Sequence, residues 1–587
     1  MDRKTSLLLS FGSLVFVVLV VLAPAPAPGQ EWTDVTEARL LDADKDGNNW
    51  LTYRRTYNGW WYSPLTQINT SNVGKLTPKW IFSGGGWGDQ KGTPLVNNGI
   101  MFTVSTDATD PTAHPRTIHR QKVFAVDAAT GVALWKHEHK LPEDLTALVR
   151  VLVGTRGLAL WKDKVYYGTY DARLIALRAK TGEVAWNKEI TDYRDGYFVS
   201  MAPLIVKGKV IVGMAGPGEM GPRGFIEAFD SETGASLWRT YTVPGPGEPG
   251  NNTWPGETWK LGGAAAWNHG TYDPETNLVF FGTGNPAPWI PQMRQGDNLF
   301  ANSVIALDTD TGKIKWHFQI LPNDPWDFDT PQEPLVIDVV RNGRTVKSVV
   351  QANKLGFVYT LERTNGKFMS AVPFVNLINW GQVDPATGRA AKDNSKIPEM
   401  GGQRVEVCPG LVGATSWGSK PYSPRTGYLY IPANEYCMMY GFRGELAYKR
   451  GAFYTGAIHD HHAKGDQSGV LRAFDVNTNR IVWEWSNRSP LISFALATGG
   501  DLVFVGTPEG KVVGLNARTG QQLWEFNVGT PVSGGIVSYS VGGKQYVAVA
   551  AGGTTRSTAW FGKEPRWQHL FKNVNWGDSI VVFGLPE

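Results

Sequence analysis

One short motif recurs along this chain and limits what it can fold into: a small residue, an Asp or a substitute two positions later, then Thr-Gly, then Trp. It reads Ala125-Val-Asp127-Ala-Ala-Thr130-Gly131-Val-Ala-Leu-Trp135, and returns from Ala176 to Trp186, Ala228 to Trp238 and Ala306 to Trp316. Weaker copies end at Trp483 and Trp524. The first three of these Trp residues lie 51 and 52 positions apart, and the last two 41 apart. Regular spacing of this kind marks an array of one supersecondary unit. Alternating apolar runs such as Lys122–Asp127 and Val132–Trp135 read as strands. Between them, Asp and Thr oxygens can accept nearby backbone N–H groups, and Gly accepts positive φ. Each copy is therefore a hairpin whose Trp covers the flank of its neighbour. Four-stranded units of about 40–50 residues set around an axis make a β-propeller. An open β-solenoid is the alternative; helical periodicity is scarce, which disfavours helical repeats.

The net charge is +4 and the charges are scattered, with no basic groove interleaved with aromatics, so nucleic acid is not an expected partner. Arg3 and Lys4 precede an apolar run from Leu7 to Leu22 and then an Ala-Pro stretch. Residues 1–29 thus read as a secretory signal segment, which leaves 30–587 as a single domain. The run is short for a spanning helix, which needs about 20 residues, so no stable membrane span is expected after signal removal. An uncleaved anchor is the other reading. Two cysteines, Cys408 and Cys437, flank an expected hairpin from Gly418 to Pro432. In an exported protein they are expected to pair; two free buried thiols are the alternative. No Cys-x-x-Cys-His is present, so no covalent haem is expected.

The repeat is interrupted twice, by 78 residues between Trp238 and Trp316 and again roughly from Gly366 to Gly469. Insertions of this kind are where binding loops gather. Asp327 and Asp329 alternate across Phe328 and, if extended, point to one side. Close carboxylates repel unless a cation separates them. With Glu219 and the amide oxygen of Asn285 they make four hard oxygen donors near Gly-rich turns, suited to a hard cation. The bland alternative is a set of turn-forming residues. Ile458-His459-Asp-His461-His462 reads as a polar loop, with a surface transition-metal site as the alternative, and Ser83-Gly-Gly-Gly86 lacks the Lys-Ser/Thr of a phosphate loop.

At these residues the chain resembles the pyrroloquinoline quinone (PQQ)-dependent alcohol dehydrogenases of the methanol/ethanol dehydrogenase family, and more closely their lanthanide-dependent branch. Tyr62-Ser-Pro-Leu-Thr-Gln-Ile-Asn69, the Trp repeats, Gly282-Thr-Gly-Asn285-Pro, Trp326-Asp327, Leu361-Glu-Arg-Thr-Asn-Gly-Lys367 and Gly543-Lys-Gln-Tyr-Val-Ala-Val549 carry the likeness in the same order. It implies an all-β, eight-bladed propeller with Trp-docking repeats and the cofactor on its axis. It implies Asp327 as the catalytic base and Glu219, Asn285, Asp327 and Asp329 as metal ligands. Cofactor contacts are implied for Trp267, Arg156, Lys354, Ser200 and Glu219, and a disulfide for Cys408 with Cys437.

Three positions depart from that pattern. Arg150 and Val151 stand where the family has adjacent cysteines, Ala265 replaces a Thr, and Ser416 replaces an Asn. Asp329 bears on the metal, because family members that use calcium commonly have a small uncharged residue there. Glu219, Asp327 and Asp329 sum to −3, which a lanthanide(III) ion neutralises and calcium does not. A unit charge pair at ~4 Å and an effective dielectric near 20 is worth about 4 kcal/mol. The implied activity is periplasmic oxidation of a small, primary alcohol through PQQ and a bound metal ion, with electrons passed to a cytochrome c. The competing reading is a non-catalytic quinoprotein-like propeller acting as an envelope scaffold, since propeller repeats alone fit both.

Overall fold

The computed structural model describes residues 32–86, 90–108, 118–145, 154–552, 561–572, 574 and 577–587. The expected signal segment and the Arg150–Val151 pair lie outside these residues. The fold is an all-β, propeller-type architecture. Among the described residues, eight antiparallel sheets carry four strands each, one of them extended by a fifth short strand. Most are simple meanders; Ala159–Trp161, Lys164–Gly168, Arg173–Arg178 and Val184–Glu189, for example, pair in sequence order. The extra strand, Tyr62–Ser63, lies parallel to Ala495–Thr498.

Burial differs along each sheet for a simple reason. Inner strands are covered on both faces by neighbouring sheets and read as apolar runs, whereas outer strands face water between contacts. Leu278–Gly282 is buried at every position, while Ser236–Tyr241 buries Trp238 alone. An early strand and the last strand meet in one sheet. Thr77–Ser83 pairs antiparallel with Asp578–Gly584, which in turn pairs with Lys544–Gly552. No sequence motif signals this closure, because the two strands lie about 500 positions apart.

The recurring motif joins one sheet to the next. Asp127 Oδ1 accepts the N–H groups of Ala129 and Thr130 at 2.8 and 2.9 Å, and Asp230 and Asp308 form the same turn. The Gly that follows takes φ between 69° and 76° at Gly131, Gly182, Gly234, Gly312, Gly366 and Gly520. Each of these glycines lies against the indole of the preceding sheet. A Cβ on Gly182 would come 2.6 Å from Trp135, and one on Gly312 2.5 Å from Trp238. The indole N–H then donates to a carbonyl of the next hairpin: Trp135 to Ala179 at 2.9 Å, Trp186 to Ser231 at 3.0 Å, Trp238 to Thr309 at 3.1 Å and Trp316 to Arg363 at 3.0 Å. Trp80 and Trp483 make the same bond to Ala128 and Ala517. Trp524 packs edge-on against Phe583 of the closing sheet, at 5.1 Å between ring centroids. In the hairpin ending at Trp483 the left-handed position is Asn479, at φ 58°, which Asn tolerates better than most residues.

The two interruptions are built differently. The second carries a pair of short strands, Gly381–Val383 with Ala390–Lys392, and a three-stranded sheet of Val405–Val407, Tyr436–Phe442 and Ala457–Ala463. The His-rich run expected as a polar loop is this last strand. Its backbone pairs with Tyr436–Phe442, so alternation with neighbouring chain decides its form and not its polarity. The expected hairpin between the cysteines is present, with Gly427 N–H bonded to the Ser423 carbonyl at 2.9 Å. Cys408 and Cys437 are joined by a disulfide.

Gly343 has a φ of 74° like the motif glycines, but a Cβ added there would meet no atom within 4 Å. Gly343→Ala is expected to cost about 1–2 kcal/mol from backbone strain, and Gly182→Ala a further 1–3 kcal/mol, roughly, from overpacking on Trp135. Denaturation midpoints of the two variants check this ordering.

Candidate active site

A cavity of about 390 Å³ is lined by Arg156, Ser200, Glu219, Trp267, Asp327, Asp329 and Lys354. These are seven of the eight side chains nominated from sequence for cofactor, metal or catalysis. The eighth, Asn285, is buried behind Glu219, with its amide nitrogen 3.0 Å from the Gly218 carbonyl. A Cβ at Gly218 would strike Asn285 Oδ1, so glycine is what lets the Glu219 turn and Asn285 approach each other. Glu219 sits on a single turn, Pro217–Met220, entered through Gly216 at φ 98°. A side chain at Gly216 would strike the Gly196 carbonyl.

Trp267 ties the two halves of the site. Its indole N–H donates to Asp329 Oδ2 at 2.7 Å, and the Arg156 guanidinium stands 4.6 Å from the ring centroid. Arg156 Nη1 donates to Ser200 Oγ at 2.6 Å, and Ser200 Oγ donates to the Trp267 carbonyl at 3.3 Å. The packing of a cation on an indole face adds to the hydrogen bonds in fixing this wall. Trp289, Leu411, Val412, Trp417 and Phe453 supply most of the remaining apolar lining.

Asp327 and Asp329 meet, but not through the extended alternation expected from sequence. Asp327 has φ 62°, so the segment turns there. Asp324, buried, shapes that turn by accepting the N–H of Trp326 at 2.8 Å and of Phe328 at 2.7 Å. Asn302 adds a bond at 3.1 Å, and buried Arg294 donates to the Asp324 carbonyl. Lys354 then spans the pair. Its ammonium contacts Asp329 Oδ1, lies 3.2 Å from Asp327 Oδ2 and donates to the Asp327 carbonyl at 2.6 Å.

The electrostatics follow from burial and like charge. Burial raises Asp327 well above the ordinary carboxylate range, Lys354 opposes this, and the charges of Asp329 and Glu219 raise it further. Burial alone would lower Lys354, but the Asp327 and Asp329 charges override it and raise the ammonium above its usual value. Among the described residues, the one trio of acid, Cys or His donor atoms within 4.8 Å of one another is Glu406, Cys408 and Cys437. Its two sulfurs are bonded to each other, which leaves no ligand trio there. Glu219, Asp327 and Asp329 line one cavity without forming such a trio, and Lys354 pairs with the two aspartates.

The replaced positions have definite places: Ser416 lines the cavity, while Ala265 is buried and its carbonyl accepts the Gly284 N–H at 2.7 Å. Sequence reading missed the organising role of Asp324. The Asn-Asp-Pro run at 323–325 was its available signal, being a frequent turn-forming combination. It also missed Trp417 and Phe453, which no local pattern separates from packing aromatics.

The glucose/ethanol/alcohol dehydrogenase β-propeller domain profile matches residues 50–375, and the profile of the outer membrane protein assembly factor BamB matches residues 453–573. The chain is 39% identical to quinoprotein alcohol dehydrogenase PedH of Pseudomonas putida, over 98% of its own length and 97% of that protein. It is 34% identical to a quinoprotein ethanol dehydrogenase of Pseudomonas putida, over 97% and 96% of the two chains. A solved europium-containing methanol dehydrogenase superposes with a TM-score of 0.86 at 31% identity, covering 94% of this chain and all of that one. The chain belongs to the PQQ-dependent alcohol dehydrogenase family and is an oxidoreductase of that class.

Lys354→Met removes the cation between two buried carboxylates. It is expected to destabilise the cofactor-free protein by about 3–5 kcal/mol near neutral pH. The sign with pH is fixed: a folded Asp327 that keeps its proton to higher pH than an unfolded Asp loses stability as pH rises from about 3.8 upward. The deficit of the variant should therefore shrink as pH falls toward 4, as read from denaturation midpoints.

Proposed function

We propose that this cavity binds PQQ together with one lanthanide(III) ion, and that Asp327 takes the hydroxyl proton of a primary alcohol as it is oxidised to an aldehyde. The observation that carries this is the convergence of Asp327, Asp329, Lys354, Trp267, Arg156 and Glu219 on one cavity. The residues fit such a cofactor. PQQ is planar and carries several carboxylates; the indole of Trp267 offers a flat wall, while Arg156, Lys354 and Ser200 offer cations and a hydroxyl. Glu219, Asn285, Asp327 and Asp329 are hard oxygen donors of the type that hold such an ion. Bound PQQ supplies the two-electron acceptor, and the bound cation makes it more electrophilic.

The protein supplies orientation and charge. Trp267 is pinned through Asp329, and Arg156 is pinned through Ser200, so both walls of the cavity are held before a ligand arrives. Asp327 is placed to receive a proton, and a nearby cation keeps it ionised and able to do so.

Calcium is the second reading, and Lys354 favours it. Glu219, Asp327 and Asp329 carry three negative charges, and the Lys354 ammonium between the two aspartates brings the group to −2. A trivalent ion is favoured when Lys354 turns to the quinone, and calcium when it stays on the carboxylates. Likeness to a europium-containing enzyme, and the presence of Asp329 itself, support the trivalent ion.

The eight described sheets are read as eight blades, with the tryptophans as the docking elements between them. Export to the periplasm through residues 1–29, a single catalytic domain from 30 to 587 and a separate cytochrome c as electron acceptor complete the proposal. Among the described residues no helix is long and apolar enough to cross a membrane.

The test is ethanol-dependent dye reduction by protein loaded with PQQ and either lanthanum or calcium. Activity is expected with lanthanum, and Asp329→Ala should lower it by about tenfold or more, the scale for groups that hold or orient a metal. Absence of turnover with both ions would remove the functional reading, and unchanged lanthanum activity in the variant would remove Asp329 as a ligand.

A further inference from the structure

Five of the residues facing the cavity, Arg443, Phe453, Thr455, Ala457 and His459, come from one stretch of chain and not from the inner ends of separate sheets. The stretch leaves the strand Tyr436–Phe442 and returns in Ala457–Ala463. Its backbone is fastened beside the site. Tyr454 N–H donates to the Glu219 carbonyl at 2.7 Å, and Trp289 N–H donates to the Thr455 carbonyl at 3.2 Å. Arg443 N–H closes the base of the loop on the Gly456 carbonyl at 2.9 Å. Tyr448 and Tyr454 pack edge to face at 5.4 Å, which stiffens the span between. Arg450 reaches Asp192 at 2.9 Å and Asp195 at 2.5 Å, though exposed pairs of this kind contribute little.

Phe453 is the odd member of this wall. It neighbours the Tyr454 tether, so its backbone is held, yet its side chain is 43% exposed while it lines the cavity. A large ring placed there gives up apolar surface to water that core packing would have covered. Apolar surface at the edge of a binding cavity gains by being covered by an apolar ligand. On the proposed reading the polar groups of the cavity serve the hydroxyl end and the cofactor, which leaves the alcohol's carbon chain to the apolar lining, of which Phe453 is the exposed member.

We infer that Phe453 is a specificity-determining residue, whose ring contacts the carbon chain of the substrate and favours alcohols with a long alkyl or aryl substituent over ethanol. This rests on the reading that alcohols are oxidised in this cavity. Residues 443–456 form the wall that presents the ring, and their bond to the Glu219 carbonyl ties its position to the site.

The test compares wild-type, Phe453→Ala and Phe453→Leu holoenzyme, loaded with PQQ and lanthanum or calcium, on ethanol, 1-hexanol and 2-phenylethanol. In Phe453→Ala the ratio of kcat/KM for 1-hexanol to that for ethanol should fall about tenfold, with the change in KM; this is the low end for a lost apolar contact in a specificity pocket. Phe453→Leu should restore most of the ratio. A second readout is 1-hexanol binding followed by cavity tryptophan fluorescence, whose Kd should rise by the same factor. An unchanged ratio, an equal loss on every alcohol, or a gain for the bulky alcohols (a steric gate) would each overturn the inference. If wild-type holoenzyme oxidises none of the alcohols, the functional reading fails by itself, and the fluorescence titration still decides whether Phe453 contacts the chain.

Discussion

Everything in this molecule depends on how one sheet is held at a fixed angle to the next. The contact seen between neighbouring sheets is an indole lying on a glycine of the following hairpin, with its N–H bonded to a carbonyl one residue past that hairpin's Asp or its substitute. The glycine does two things at once: it takes a left-handed φ that the turn needs, and its missing Cβ leaves room for the ring. The indole supplies a large apolar face and one directional donor, so the pair resists both separation and sliding. Each contact is small. Repeated around the array, they set the spacing of the inner strand ends, and those ends surround the cavity. The pairing of Thr77–Ser83 with the C-terminal strands removes two free sheet edges and prevents the array from opening.

The site that this frame holds is a problem in charge. Asp327, Asp329 and Glu219 are brought into one cavity, where burial and the charges of the other two raise the cost of ionising Asp327. Lys354 answers part of that cost by bridging the two aspartates, and Trp267 answers another part with a neutral donor on Asp329. Asp324 is buried beside them but accepts backbone N–H groups, which makes it a builder of the turn, while Asp327 faces the cavity. On the proposed function, the same cation that stabilises the carboxylates would compete with a metal for them, and metal preference would be coupled to where Lys354 points.

Much of this was legible in the chain. The Thr-Gly and Trp spacing gave the repeat, because a tight turn needs Gly for a steric reason that holds in any context. Glu219, Asp327 and Asp329 were nominated as oxygen donors, and Trp267, Arg156, Lys354 and Ser200 through the family resemblance; all seven face one cavity. What failed was local geometry. Asp327 and Asp329 converge through a left-handed residue and not through an extended strand, because Asp324 captures two backbone N–H groups and bends the segment. The histidine run was polar by composition and became a strand, because a neighbouring strand offered its backbone a full set of partners.

The sequence by itself determined the unit and its repetition: turn chemistry and alternation act over a few residues and need no distant partner. It also determined which side chains could carry charge and which pair of cysteines could join. The tertiary structure alone decided that Thr77–Ser83 and the last strand share a sheet, that Lys354 stands between Asp327 and Asp329, and that Phe453 reaches the rim of their cavity. Those are contacts between residues tens to hundreds of positions apart. They arise from the closing of the array and from the balance of buried charges within it, and neither leaves a local trace in the order of amino acids.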